Sequence, residues 1–155
     1  MNALRRNVLK SAAGASTVAM AVAVGLLKPT QAMAAWNTAA FEAKNVGDAM
    51  KGLGVSGPAD SKDIIIKAPD IAENGAVVPV EVTSNIAGTT SIAIIAEKNG
   101  TPLVGSFAMS GGALPFISTR IKMGQTSLVR AVVQAGGKSY TAAKEVKVTI
   151  GGCGG

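Results

Sequence analysis

The feature that most constrains the fold is a two-residue alternation of apolar and polar side chains near the C-terminus. Successive side chains of a β-strand point to opposite faces, so this period places one apolar set on one face. The set is Val129, Ala131, Val133, Ala135, Val146, Val148 and Ile150. Gly136-Gly137 interrupts it with two residues that tolerate the positive φ angles of a tight turn. The segment predicts a hairpin of strands over 126–135 and 138–150.

Further short apolar segments bounded by turn residues precede this hairpin. They lie at 62–68, 76–85, 91–97, 102–108 and 115–122. Asn99-Gly100, between the third and the fourth, predicts a tight turn with positive φ at both residues. Seven short strands at this spacing are typical of a sandwich of two sheets. The sequence therefore predicts an all-β, immunoglobulin-like β-sandwich of about seven strands.

Before the strands, the apolar period changes to that of a helix. The residues near helical spacing are Phe41, Val46, Ala49, Met50 and Leu53. Gly52 and Gly54 are typical of a helix end. We expect an amphipathic helix over 37–53.

Residues 1–34 have the composition of an export signal. Arg5 and Arg6 are followed by an apolar run rich in small residues, and Ala32-Met33-Ala34 fits a signal-peptidase site. The run is too short and too rich in alanine for a membrane anchor. We expect a cleaved twin-arginine signal, a carrier domain over 35–150 and no membrane attachment after cleavage. Because the twin-arginine route carries folded cargo, the domain should fold, or meet a partner, before export.

Most of the net charge of +6 lies in this leader. The mature chain keeps eleven basic and nine acidic residues, and residues 101–155 hold six basic and one acidic. The lysines either keep exposed strand faces soluble or form a mildly positive surface that attracts an anionic ligand or an acidic partner. So modest a patch with few aromatic residues argues against nucleic-acid binding.

Two absences from the composition narrow the chemistry. The chain has no histidine, so Ser-His and Cys-His pairs and histidine-ligated metals are excluded. Its single cysteine excludes an internal disulfide and a thiolate cluster. We predict no metal site and no catalytic residue.

The cysteine lies in a tail of glycines, Gly151-Gly152-Cys153-Gly154-Gly155. Glycine costs the most backbone entropy to order, so we expect residues 151–155 to be a mobile arm. The tail could be a frayed end, a clasp that forms a Cys153 disulfide between two copies, or a swinging arm thin enough to enter a narrow channel. An ordinary cysteine, with a pKa of about 8.5, is mostly protonated at neutral pH, so activating groups should come from a partner.

Three stretches carry a resemblance to a known family. They are the tail "VTIGGCGG", residues 69–80 (PDIAENGAVVPV) and residues 111–124 (GGALPFISTRIKMG). Together with the twin-arginine leader they resemble SoxY, the sulfur-carrier subunits of the Sox thiosulfate-oxidising system.

The resemblance implies a function and a set of partners. SoxY-like proteins hold sulfur covalently on the tail cysteine, here Cys153, in the periplasm. They pair with a SoxZ subunit as a heterodimer. SoxAX joins thiosulfate to the cysteine, SoxB releases sulfate, and SoxCD oxidises the remaining sulfane sulfur. The carrier would be non-catalytic, with no permanent cofactor and only S-thiosulfonate and sulfane adducts on Cys153.

Two other classes of function remain open. A carrier that ends in a thiocarboxylate on Gly155 would need ATP-dependent activation in the cytosol, which the leader contradicts. A structural or adhesion sandwich would use Cys153 only to dimerise.

Other features receive structural interpretations. Residues 69–75 are expected to connect strands, with Asn74-Gly75 as a turn, and Gly111-Gly112 lacks the context of a phosphate loop. We expect Phe107, Phe116 and Tyr140 to pack in the core or an interface, and we assign no second site.

Overall fold

The chain forms two short helices followed by nine β-strands in the part that the computed structural model describes, residues 37–110 and 112–149. The helices are α1 (Thr38–Phe41) and α2 (Val46–Gly52). The strands are β1 (Ala59–Asp60), β2 (Ile64–Lys67), β3 (Ile71–Ala72), β4 (Val78–Ser84), β5 (Thr89–Ala96), β6 (Leu103–Ala108), β7 (Phe116–Ile121), β8 (Ser127–Ala135) and β9 (Lys138–Val148). The predicted all-β class is confirmed.

The strands form two sheets. The larger has the order β1-β9-β8-β5-β6, with β3 also paired to β9, and the smaller has the order β2-β4-β7. All seven expected strands are present. The two additional strands, β1 and β3, have two residues each and run parallel to β9. The chain passes from β1 on the large sheet to β2 on the small sheet and back to β3, which links the two sheets on one side.

The main core lies between the sheets and follows the alternation in the sequence. Val78, Val80 and Val82 of β4 are fully buried against the alternate residues of β5 and β8. The large-sheet members of the cluster include Ile92, Ile94, Val129, Ala131, Val133 and Val146. The predicted inward face of the last hairpin is therefore confirmed as far as Val148, which packs against this cluster.

A second, smaller core covers the outer face of the large sheet. Ala93 and Ile95 of β5 and Val132 of β8 pack there against the helical segment. The residues of this segment are Ala40 in α1, Ala43 between the helices and Ala49 in α2, with Val55 beyond them. Because β5 is buried on both faces, it has a continuous apolar run rather than an alternating one.

The predicted single helix over 37–53 is wrong, because the helix is divided in two. Asn45 is extended, and its Oδ1 accepts a hydrogen bond from Asp48 N at 2.9 Å. Asn37 caps α1 in the same way, accepting from Ala40 N at 3.1 Å. Asparagine side chains compete with the helix interior for backbone partners, so Asn45 starts a new helix instead of continuing the first.

The end of α2 matches the prediction from its glycines. Gly54 has φ 71°, and Val55 N donates to Met50 O at 2.9 Å, which closes the helix with a left-handed residue. Gly52 has a different role: a Cβ there would lie 2.6 Å from the Cα of Ala40. The absence of a side chain at Gly52 therefore lets α1 and α2 pack closely.

The two predicted glycine turns have different outcomes. Gly136 and Gly137 have φ of 55° and 75° and join β8 to β9, as predicted. The positive φ angles predicted for Asn99 and Gly100 are wrong, since neither residue has one. The connection between β5 and β6 spans residues 97–102, and the Asn99 side chain bonds the neighbouring loop instead.

Neither helix of the described segment has the length and apolar character needed to cross a bilayer.

Candidate functional site

The predicted sulfur-attachment residue and its arm lie just outside the described residues. Cys153 and Gly151, Gly152, Gly154 and Gly155 follow Thr149, the last residue that the structure describes. The export-signal residues Arg5 and Arg6 also lie outside it. The structure does describe the point from which the tail departs. We call residues 147–149 the tail root.

The tail root is bonded on one side to β3. Lys147 N donates to Asp70 O at 3.0 Å, and Thr149 N donates to Ala72 O at 3.1 Å. These bonds continue the parallel pairing of Ile71 and Ala72 with β9. The segment 69–75, expected as a plain connection, thus supplies the strand that holds the end of β9.

On its other side the tail root is bonded to the loop before β8. Val148 N donates to the Thr126 Oγ1 at 2.9 Å, and this hydroxyl also lies 3.5 Å from Val148 O. A side chain thus extends the β8–β9 ladder beyond the pairing of Ser127 with Val146. The chain is therefore fixed to the body on one side at Val148 and on the other at Thr149, five and four residues before Cys153.

Gly75 packs directly against the tail root. Met123 N donates to Gly75 O at 2.7 Å. A Cβ on Gly75 would overlap Met123 O and lie 2.8 Å from the Cγ1 of Val148. Gly75 does not have a positive φ. Close packing, rather than turn geometry, therefore requires glycine here.

The expected turn at Asn74 is present beside this contact. The Oδ1 of Asn74 accepts a hydrogen bond from Ala76 N at 2.9 Å, and its carbonyl accepts from Val77 N at 3.3 Å. The sequence analysis missed the roles of Gly75, Met123 and Thr126. The available signal was that Gly75 and Met123 belong to the two stretches shared with the resembling family.

A third loop is bonded to this assembly through Asn99. Its Nδ2 donates to Lys122 O at 2.7 Å, and its Oδ1 accepts from Gly124 N at 3.1 Å. The Nε2 of Gln125 also lies 3.4 Å from Lys98 O, to which it donates. We call residues 73–77, 97–99, 122–126 and 147–149 the root collar, because hydrogen bonds join these four segments around the start of the tail.

The surface of the root collar is basic and partly apolar. Lys98, Lys122 and Lys147 are exposed, and none belongs to the ion pairs of the described residues. Val77 is 52% exposed, and Ile71, which lies beside the collar as the register partner of Lys147, is 57% exposed. Glu73 is the exposed acidic residue of the collar. This arrangement suits contact with a surface better than enclosure of a small molecule.

A cleft among the described residues lies at the other end of the sandwich. It has a volume of about 480 Å³. Its lining comes from residues 84–90, 109–110, 112–113 and 115, which include no carboxylate, amine or thiol. Within the described ranges, no three acidic side chains lie close enough together to hold a metal ion. The cleft therefore lacks the groups for acid–base chemistry.

The aromatic residues differ in their environment. Phe107 and Tyr140 pack against the main core, as expected. Phe116 is 46% exposed at the start of β7. The expectation that Phe116 packs in the core is wrong, because its position on β7 faces outward from the small sheet.

The fold and the described site define the class of the chain: a two-sheet, all-β domain whose last strand is clamped at its end and leads into a single-cysteine tail. A superoxide reductase (Neelaredoxin) from Ignicoccus hospitalis shares the fold, with 20% identity and a TM-score of 0.51. The match covers 56% of this chain and 80% of that one, and it shows the fold alone.

A more specific similarity identifies the family. The family model described as sulfur oxidation protein SoxY matches residues 50–153. The structure of the sulfur carrier protein SoxY from Chlorobium limicola f thiosulfatophilum is 47% identical, with a TM-score of 0.63, over 68% of this chain and 97% of that one. The chain therefore belongs to the SoxY family of sulfur carrier proteins. A comparison with curated proteins found no match.

Proposed function

We propose that the protein is a periplasmic sulfur carrier that holds thiosulfate-derived sulfur covalently on Cys153. The observation that carries the proposal is that the match to the SoxY family extends through Cys153 itself. The bonds that fix the tail root up to Thr149 support it, because a carrier thiol needs a firm base. The five-residue tail then presents the sulfur, and the domain catalyses no step.

The chemistry follows from a thiol that partner enzymes activate. SoxAX joins the Cys153 sulfur to the sulfane sulfur of thiosulfate, which forms an S–S bond, releases the thiol proton and passes two electrons to the haem enzyme. SoxB then adds water across the bond between sulfane and sulfonate sulfur, which leaves a persulfide on Cys153 and releases sulfate. SoxCD, where present, oxidises the remaining sulfane sulfur. No cofactor stays bound to the carrier.

The proposed assembly is a heterodimer with a SoxZ-like subunit that forms before export. The twin-arginine signal at Arg5 and Arg6 would carry the folded complex to the periplasm, where no membrane attachment remains. Replacing both arginines with lysine, R5K/R6K, should keep the complex in the cytoplasm. Cell fractionation of the variant and the native chain tests the route, and periplasmic R5K/R6K would contradict it.

The decisive experiment is the intact mass of the mature protein from the periplasm of cells grown on thiosulfate. We expect added mass on Cys153 that corresponds to thiosulfonate or sulfane sulfur and disappears with reductant. Peptide mapping localises the adduct, and C153A from the same cells is the control. A bare thiol, or only a disulfide between two copies, would refute the carrier function and favour the structural alternative.

A further inference from the structure

The length of the tail limits where a partner enzyme can contact this protein. Cys153 is four residues beyond Thr149, and an extended chain spans at most about 3.6 Å per residue. The thiol therefore reaches no more than about 14 Å from the tail root. An active site below the surface of an enzyme uses much of this length. The surface around the tail root must then lie against the entrance of that site.

The surface in this position is the root collar. Its four segments are joined by side-chain and backbone hydrogen bonds, from Asn99 to Lys122 and Gly124 and from Thr126 to Val148. The collar is therefore formed before any partner binds. An interface that is already ordered loses less conformational entropy on binding than a mobile one.

The charges of the root collar indicate the chemistry of the entrance. The collar has three exposed lysines, Lys98, Lys122 and Lys147, and one exposed acidic residue, Glu73. Two further carboxylates are paired with cations: Glu97, within the collar, pairs with Arg130 at 2.7 Å, and Asp70, beside the collar and with a side chain 90% exposed, pairs with Lys144 at 3.1 Å. The collar thus presents a net positive charge. Arg120 lies two positions before Lys122 and Glu145 two positions before Lys147, and they add one charge of each sign.

We propose that the root collar is the docking surface for the enzymes that act on Cys153, and that the entrances of their active sites carry carboxylates. Val77 and Ile71 supply apolar contact beside the lysines. The proposal rests on the proposed function, since it needs Cys153 to enter another protein. Charges at the rim of an interface mainly set the association rate and its dependence on salt.

The test compares two charge reversals of equal size in the full mature chain, bound to its partner subunit. The collar variant is K98E/K122E/K147E. The matched control is K44E/K62E/K138E, whose lysines are also exposed and free of ion pairs among the described residues. Lys44 follows α1, Lys62 precedes β2, and Lys138 begins β9 at the end opposite the tail root. Both variants change the net charge by the same amount.

The measurement is kcat/KM for loading of Cys153 by the thiosulfate-coupling enzyme, at low and high salt. We expect the collar variant to lose about tenfold or more at low salt and the control less than about twofold. The difference should shrink at high salt because of screening. Alkylation of Cys153 by iodoacetamide should be the same in both variants, since a small reagent needs no docking.

A second pair tests the apolar contact without a change of charge. V77S should raise KM at every salt concentration. L114S is the control, because Leu114 is 82% exposed in the connection between β6 and β7 at the other end of the sandwich. Equal loss of kcat/KM in the collar variant and its lysine control would overturn the proposal. So would equal changes of KM in V77S and L114S, or faster loading of the collar variant than of the native chain. If the native chain accepts no sulfur at all, the proposed function itself fails. This result differs from a failure of the docking proposal, in which the native chain is loaded but the collar variant is not slower than its control.

Discussion

The backbone N–H of Val148 donates a hydrogen bond to the side-chain oxygen of Thr126 at 2.9 Å. This bond joins the end of the last strand to the loop before β8, beyond the final residue pair of the β8–β9 ladder. On the other side, Thr149 N donates to Ala72 O. The chain is held on both sides at the point where the tail begins.

Replacing Thr126 with valine tests the first of these bonds. T126V keeps the shape of the side chain but leaves Val148 N without its acceptor, so the free energy of unfolding should fall by about 1 kcal/mol. Urea denaturation measures this change, and hydrogen exchange at the Val148 amide should become faster. T126S, which keeps the hydroxyl, should retain most of the protection. Equal exchange in T126V and the native chain would show that the hydroxyl does not hold the strand end.

Gly75 should not tolerate even alanine. A methyl group there would overlap Met123 O and crowd Val148. We expect G75A to lower the free energy of unfolding by about 1–3 kcal/mol, as small-to-large changes in packed sites do. The matched control is G100A, because a Cβ on Gly100 meets nothing within 4 Å and its φ is not positive.

G100A should be neutral, or stabilising by up to about 1 kcal/mol through the unfolded state. Urea denaturation of both variants, with unchanged m-values, measures the difference. Equal stability of the two variants would show that the backbone near Gly75 relaxes without cost.

The ion pair of Arg130 and Glu97 should stabilise the connection between β5 and β6. The Nε and Nη2 atoms of Arg130 lie 2.8 and 2.7 Å from the Oε1 of Glu97, to which they donate. Both side chains are about three-quarters buried, with exposed fractions of 23% and 24%. E97Q keeps the shape but removes the charge, and it should cost about 1–2 kcal/mol. E145Q on β9, outside the ion pairs of the described residues, should change stability by less than about 0.5 kcal/mol. Equal losses in thermal or urea unfolding would contradict this role.

The strands were predictable wherever burial on one face gave a local pattern. Val129, Ala131 and Val133 alternate in the sequence, and they are buried on one face in the structure. β1 and β3 were not predictable in this way, because two residues have no period and exist as strands only through β9. Asn45 shows a second limit. Its side chain can cap a helix or lie within one, and the apolar spacing around it does not distinguish the two.

The candidate site also has one part that the sequence predicts and one part that it does not. The tail motif and Cys153 are visible in the sequence, and their assignment needs no fold. The contact of Thr126 with Val148 joins residues 22 positions apart, and Gly75 meets Met123 from an even greater separation. No local pattern encodes such contacts. Asn99 shows why the turn prediction at Asn99-Gly100 failed. Its side chain forms hydrogen bonds to another loop, and the chain does not adopt the predicted tight turn.

The glycines beside Cys153 should matter for access to the enzymes. Under the proposed function the tail enters a narrow channel, so a branched side chain at Gly152 or Gly154 should slow loading and unloading. We expect G152V and G154V each to lower kcat/KM for thiosulfate coupling by about tenfold or more, because small misplacements of a reacting group are costly. We expect folding to be unaffected, because residues near a chain end tolerate substitution unless the body of the domain holds them.

The control for this experiment is G100V, which adds the same side chain at an open position of the domain. Iodoacetamide should alkylate Cys153 equally fast in all three variants and the native chain, because a small reagent reaches the thiol from any side. Slow enzymatic loading with normal alkylation would locate the defect in the channel. Unchanged turnover of G152V and G154V would contradict a narrow channel and would mean that the glycines serve only to keep the tail mobile.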